Sequence, residues 1–304
     1  MRESNIRAIV NLLLLVLVTV ALPVQSSSEN EGNKVKESDQ VITLFPVIQG
    51  GKCGFIDNAG KMVIEPQFDG LWLRFSEGLA AVKIDNKWGF IDKTGNIVIK
   101  PQFDAYFGTR FSEGLAAVMI NNKWGFIDNK GNIVIKPKYI DVGAFSEGLA
   151  LAQNASIFGY GYIDKNGKTI IKHQFETRPL AFSEGLAKIE AGEVLYIDEG
   201  VKIVNGHLTG SLRPDYSQLK SGFIDKTGRM VIDPKFDDAR SFSNGLAAVK
   251  IDNKWGYIDK TGVVVIKAEF DNPGSFSNGL ARVKVDDKWC YIDKTGKYVW
   301  EPSK

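Results

Sequence analysis

The stretch Gly78–Pro101, which reads GLAAVKI, DN, KWGFID, KTG, NIVIKP, decides the fold. Residues 78–84 are β-prone and can alternate their faces, and Asp85-Asn86 is a short polar break. Residues 87–92 form a second run with aromatic and β-branched residues. Lys93-Thr94-Gly95 breaks the chain again, and 96–101 is a third run that Pro101 helps to end. Three such runs joined by breaks of two or three residues predict a three-stranded antiparallel meander with tight hairpin turns. No segment of the repeat carries helical spacing over ten or more residues.

The unit recurs. An aromatic-Ile-Asp triplet begins at Phe55, Phe90, Phe126, Tyr162, Tyr196, Phe223, Tyr257 and Tyr291, at spacings of 35, 36, 36, 34, 27, 34 and 34 residues. A second marker, Phe-Ser-(Glu or Asn)-Gly-Leu-Ala, begins at Phe75, Phe111, Phe145, Phe182, Phe242 and Phe276. The expected fold is therefore all-β, with about eight tandem three-stranded meanders of period 34–36 over residues 41–304. The fifth unit, about 183–220, is irregular. One unit cannot bury a face alone, so units must stack.

Asp92-Lys93-Thr94-Gly95 shares its four letters with the phosphorylation loop of ion-pumping ATPases, where the Asp accepts a phosphoryl group. Here the same letters recur from Asp225, Asp259 and Asp293. Variants stand at Asp57, Asp128 and Asp164. A phosphoryl acceptor is unique, whereas a repeated Asp-x-x-Gly is a turn. Its Asp accepts backbone N–H groups and its Gly takes positive φ.

Lys87-Trp88-Gly89, Lys123-Trp124-Gly125 and Lys254-Trp255-Gly256, each followed by the aromatic-Ile-Asp triplet and an apolar strand, resemble the WG-repeat family, also called KWG repeats. The resemblance implies a tandem β-rich repeat protein of a kind common in bacteria, with no shared catalytic activity and no established ligand. It supplies no catalytic residues. Trp88, Trp124, Trp255 and Trp289 read as framework.

Two arrangements fit: a propeller-like closed ring, or an open β-repeat array. The period is short for four-stranded blades, which take about 40–50 residues, and this favours the open array. The two cysteines favour the ring. Cys53 replaces Trp in the first unit and Cys290 replaces Gly in the last, and a disulfide between them would require the ends to meet. The alternative is two independent buried substitutions.

The N-terminus differs from the rest. Two arginines precede fifteen mostly apolar residues, 8–22, with Val24 and Ser26 placed for cleavage. Residues 1–26 read as a secretory signal peptide and 27–40 as a flexible linker. This predicts a secreted or periplasmic protein. An uncleaved membrane anchor is the rival, and only then would the chain contact a membrane.

Formal charge is +2, from 38 basic and 36 acidic residues, which gives no footprint for nucleic acid. Only His173 and His207 are present, so no histidine-rich metal site can be built, and no motif asks for a cofactor. Glu77, Glu113, Glu147 and Glu184 recur in the second marker, but Asn244 and Asn278 take their place later. This argues for a turn rather than a pair of catalytic carboxylates.

The most variable segments lie between the third run and the second marker: 70–74, 105–110, 142–144, 177–181, 238–241 and 272–275. The first two carry Trp72, Arg74, Tyr106, Phe107 and Arg110, residue types that suit binding. Core packing of the aromatics is the plainer reading. The irregular stretch 205–221 gathers His207, Arg213, Asp215 and Tyr216, either as a functional loop or as a decayed repeat. The expected function is a non-catalytic scaffold that binds a protein, peptide or glycan through these loops. The alternatives are a cell-envelope hydrolase with carboxylates in irregular loops and a purely structural spacer.

Overall fold

Seven meanders follow one another along the chain, each ordered first–second–third strand with the second in the middle. The computed structural model describes residues 43–71, 74–104, 110–154, 159–193, 195–204 and 207–302. Unit one is Phe45–Gln49, Lys52–Ile56 and Met62–Phe68. Unit two is Ala80–Ile84, Lys87–Ile91 and Ile97–Phe103. Unit three is Leu115–Ile120, Lys123–Ile127 and Ile133–Val142. Unit four is Leu149–Asn154, Tyr160–Asp164 and Thr169–Phe175. Unit five is Leu186–Ala191, Lys220–Asp225 and Met230–Phe236. Unit six is Ala247–Ile251, Lys254–Ile258 and Val264–Phe270. Unit seven is Leu280–Val285, Lys288–Asp293 and Tyr298–Trp300. Residues 1–26 and 27–40, expected as signal peptide and linker, lie outside the described residues. Among those residues, no helix is long and apolar enough to cross a membrane.

The all-β tandem of meanders is as the sequence predicts, but the count of about eight resolves into seven units and one hairpin. Short strands at Gly70–Leu71 and Asp238–Ala239 add a fourth strand to units two and six, and units three and four join with Phe111–Ser112 in one seven-stranded sheet. Leu195–Val204 and His207–Asp215 pair only with each other. The preceding strand, Leu186–Ala191, pairs instead with Lys220–Asp225. The triplet at Tyr196 thus belongs to a hairpin inserted between the first and second strands of unit five.

The turns explain the short breaks. Asp85 and Asn86 both take positive φ, 48° and 62°, as a two-residue hairpin of the I′ type needs. At the second turn, the Gly95 N–H donates to the Asp92 carbonyl. The Asp92 Oδ1 accepts the N–H groups of Thr94 and Asn96 at 2.9 and 3.0 Å. The same pattern holds at Asp57, Asp128, Asp164, Asp225, Asp259 and Asp293. These aspartates are turn caps.

The glycine of Trp-Gly answers to close approach. The third strand bulges at Lys100-Pro101-Gln102, so that Trp88 faces Phe103 while Phe90 faces Ile99. A Cβ on Gly89 would lie 2.5 Å from the Ile99 carbonyl oxygen and 2.7 Å from the Pro101 nitrogen, both backbone atoms. In unit seven the third strand ends at Trp300, and Cys290 replaces this glycine.

Adjacent units stack by a repeated set of contacts. The triplet aromatic of one unit meets the marker phenylalanine of the next, edge to face: Phe90–Phe111, Phe126–Phe145, Tyr162–Phe182, Phe223–Phe242 and Tyr257–Phe276, with centroids 4.9–5.0 Å apart. The turn glycine of each unit packs on an isoleucine of the preceding third strand. Gly95 sits on Ile64, Gly131 on Ile99 and Gly167 on Ile135. Gly228 of unit five sits on Ile171 of unit four, so the stack passes the inserted hairpin without a gap.

The series stops at both ends. Gly60, the turn glycine of unit one, faces open space. Trp300 stands at the isoleucine position of unit seven and is 53% exposed. Among the described residues the end faces are therefore uncovered, as in an open array. The disulfide expected of a closed ring is not formed. Cys53 and Cys290 are free thiols, buried in the separate cores of the first and last units. Alkylation of the unreduced protein in denaturant should label both; a recovered Cys53–Cys290 peptide would contradict the open ends.

Gly89→Ala should lower stability by about 2–3 kcal/mol, because neither backbone neighbour can give way. Gly78→Ala has free space and only a positive φ to strain it, and should cost about 1–2 kcal/mol. Chemical denaturation of the two variants tests that order.

Candidate functional site

Most of the repeated polar residues are consumed by the stack. The marker turn closes on itself between Ser76 and Leu79, with Glu77 at φ 51° and Gly78 at φ 83°. The Ser76 hydroxyl then donates to the Phe111 carbonyl of the next unit at 2.6 Å. Ser112, Ser146, Ser183 and Ser243 repeat this contact at 2.7 Å. The Glu77 carboxylate accepts the Gly114 N–H at 2.9 Å, and Glu113, Glu147 and Glu184 do the same for Gly148, Gly185 and Gly245. Asn244 can still accept from Gly279, at 3.4 Å, which is why Asn substitutes for Glu here. Lysines of the following unit close the clamp: Lys165 on Glu113, Lys226 on Glu147 and Lys260 on Glu184, at 3.0–3.3 Å.

The lysine at the Lys-Trp-Gly position is committed in four units. Lys52, Lys220 and Lys254 pair with Asp69, Asp237 and Asp271, and Lys87 pairs with Asp104. Trp88 and Trp124 pack against core clusters. Trp255 is buried beneath the Arg240 guanidinium, and Trp289 lies 4.2 Å from that of Arg282.

What remains are the variable segments, and three of them meet. A cavity of about 280 Å³ is lined by Arg110 and Ser112, by Gly143, Ala144, Phe145 and Ser146, and by Leu151, Arg178, Pro179 and Ala181. Six of these ten residues belong to the ends of segments 105–110, 142–144 and 177–181, contributed by consecutive units, while Ser112, Phe145 and Ser146 are marker residues and Leu151 lies on the first strand of unit four. Arg178 is held in place: its Nε donates to Asp141 Oδ2 at 2.7 Å and its Nη2 to the Val142 carbonyl at 3.1 Å. The Tyr162 hydroxyl fixes the same segment through the Leu180 carbonyl at 2.6 Å. Burial pushes that phenol's pKa far up, so it stays a donor. Arg110 is exposed, and no hydrogen bond or ion pair engages it among the described residues.

The sequence-predicted residues divide accordingly. Arg110 reaches the cavity. Arg74 is exposed but does not line it. Trp72, Tyr106 and Phe107 lie outside the described residues. His207 and Arg213 lie on the inserted hairpin, opposite Val204 and Ile197 in register. Asp215 accepts the Ser217 N–H at 2.9 Å, a turn role, and Tyr216 is exposed beside it. Among the described residues, no three His, Cys, Asp or Glu side chains gather as metal ligands. Arg178, Gly143, Ala144 and Pro179 escape a reading by composition, because their segments are short and plain. The usable signal is the period: residues 34–36 apart become neighbours once the units stack.

A stack of short meanders clamped edge to edge, with plain repeats inside and variable segments between, is a tandem β-repeat scaffold. The chain belongs to the family of the WG containing repeat, whose model matches residues 54–88, 88–124, 124–155, 160–193, 222–255 and 255–289. The unmatched gap between 193 and 222 is the inserted hairpin. No curated protein matches the chain. Among solved structures, it is similar to a eukaryotic initiation factor at 11% identity, covering 86% of this chain and 85% of that one with a TM-score of 0.46. It is similar to Hsv2 of Kluyvelomyces marxianus at 9% identity, covering 84% and 89% with a TM-score of 0.46. A protein of unknown function from Bacteroides caccae is 15% identical, with 86% and 93% covered and a TM-score of 0.31.

The turn aspartates make the array acid-sensitive. The Thr227 hydroxyl, 2.6 Å from Asp225 Oδ1, and the N–H groups of Arg229 and Thr227 hold the Asp225 carboxyl at about 2, against the desolvation that would raise it. Asp92, Asp128, Asp259 and Asp293 are lowered by like contacts. A depressed carboxyl stabilises fully above its unfolded value of about 4, and that contribution is lost as pH falls through the folded value. The melting temperature should therefore fall from pH 4 toward pH 2. Asp225→Asn should be less stable at pH 7 and lose less on acidification. An identical slope in the variant would assign the acid loss elsewhere.

Proposed function

We propose that the chain is an exported, non-catalytic repeat scaffold that holds a protein, peptide or glycan where the variable segments around Arg110 and Arg178 meet. One observation carries this reading: the constant residues are spent on stacking, whereas a concave site is built from segments that vary between units. Loops on a rigid framework are where binding residues concentrate. The export part rests on residues 1–26 alone, and their sequence pattern is that of a cleaved leader.

The described carboxylates give little support to a hydrolase. Glu77, Glu113, Glu147 and Glu184 are clamped to the next unit, and Asp215 caps a turn. The cavity itself has no carboxylate in its lining.

Ala144→Trp would fill the cavity; because Ser112, Phe145 and Ser146 of the stack share its wall, an unchanged melting temperature is required before the variant's binding is compared. Binding of the mature protein to peptide and glycan arrays should drop by at least about tenfold in this variant, the loss expected when one well-placed contact site is removed. Full retention of every array signal would place the ligand elsewhere.

A further inference from the structure

We infer that the cavity recognises a single carboxylate carried on a small body, the terminal or side-chain carboxylate of a peptide or the acid group of a glycan. The inference rests on the cavity being the binding site proposed above, and adds the ligand's chemistry.

The lining contains two guanidinium groups and no acid. Arg178 is already neutralised in part by Asp141, which takes its Nε from behind. Among the described residues Arg110 has no such counterion. Residues 105–109, which precede it, contain no Asp or Glu, and Asp104 is engaged by Lys87 and by the Asn121 N–H. The site therefore carries close to one uncompensated positive charge, which matches a carboxylate rather than a dianion. A guanidinium presents its N–H groups in a fork that suits a planar carboxylate.

The other polar groups are not competing donors. The Ser112 and Ser146 hydroxyls are each given to a carbonyl of the next unit, Phe145 and Phe182, at 2.7 Å. The rest of the lining is apolar: Ala144, Phe145, Leu151, Pro179 and Ala181. Arg178 is held by two hydrogen bonds, so its fork is preorganised, and less freedom is lost when it takes an anion. The volume, about 280 Å³, lies just below the range of about 300–1,000 Å³ that encloses drug-sized ligands. It admits one side group and leaves the rest of a chain outside.

The test uses two matched pairs of probes on the mature protein. One is an acetylated alanyl-leucine peptide as its free acid and as its amide. The other is an oligogalacturonate and its methyl ester. At low salt the acid of at least one pair should bind about tenfold or more tighter than its neutral partner, as a charge-assisted contact requires. Arg110→Ala should remove that preference, and Arg110→Lys should restore part of it. The pair that shows the preference identifies a peptide or a glycan source. Equal binding of acid and neutral partner, both lost in Ala144→Trp, would overturn the carboxylate and keep the site. Binding that survives Ala144→Trp would overturn the site as well. Absence of binding by all four probes would also overturn the inference.

Discussion

Six of the seven meanders depend on one missing methyl group. Where the third strand bulges, its backbone crosses so near the second that only glycine fits, and Gly54, Gly89, Gly125, Gly161, Gly222 and Gly256 all stand at that crossing. The bulge lets Trp88 oppose Phe103 although Phe90 opposes Ile99. It also turns Ile99 and Phe103 inward, where the next unit covers them. A side chain at the crossing would push the third strand away and open both contacts. The Trp-Gly signature is thus a statement about backbone distance as much as about tryptophan.

Stacking then follows from many small terms. An edge-to-face aromatic pair adds about 0.5–1.5 kcal/mol beyond its buried area. The serine-to-carbonyl and glutamate-to-glycine bonds each contribute on the order of 1 kcal/mol net. The exposed lysine pairs add less. None is large, but each recurs at several interfaces, and the stability of such an array is close to a sum over neighbours. In every unit but the third, the third strand forms an edge of its sheet; in unit three it pairs on with the first strand of unit four. Lys100-Pro101 sits on such an edge in unit two, a lysine and a proline that discourage another strand from adding there.

Much of this was legible in the sequence, because turns are local. The Asp-Asn and Asp-Lys-Thr-Gly breaks, the three runs and the period all hold in the structure. The count of units was misread at Tyr196. A three-residue triplet marks a strand but cannot say what that strand pairs with, and the strand there pairs with its own hairpin partner. The roles of Ser76 and Glu77 were not legible for another reason: their partners lie 35 and 37 residues away. Ala80, Ala81 and Val82 show the same limit. They look like an alternating half-exposed strand, yet all three are buried, because the first strand is enclosed on both faces and small residues fit there. At the candidate site, Arg110 could be picked out by residue type, whereas Arg178 acquires meaning only when the segments are brought together.

The hairpin in unit five has a consequence for how the molecule can change. It enters and leaves between two strands that remain paired, Leu186–Ala191 with Lys220–Asp225, and the stacking contacts run from unit four to units five and six past it. Its insertion thus leaves that strand pairing and those stacking contacts in place. The first turn of a meander is a port: material can be added, lengthened or lost there while the neighbouring interfaces stay as they are.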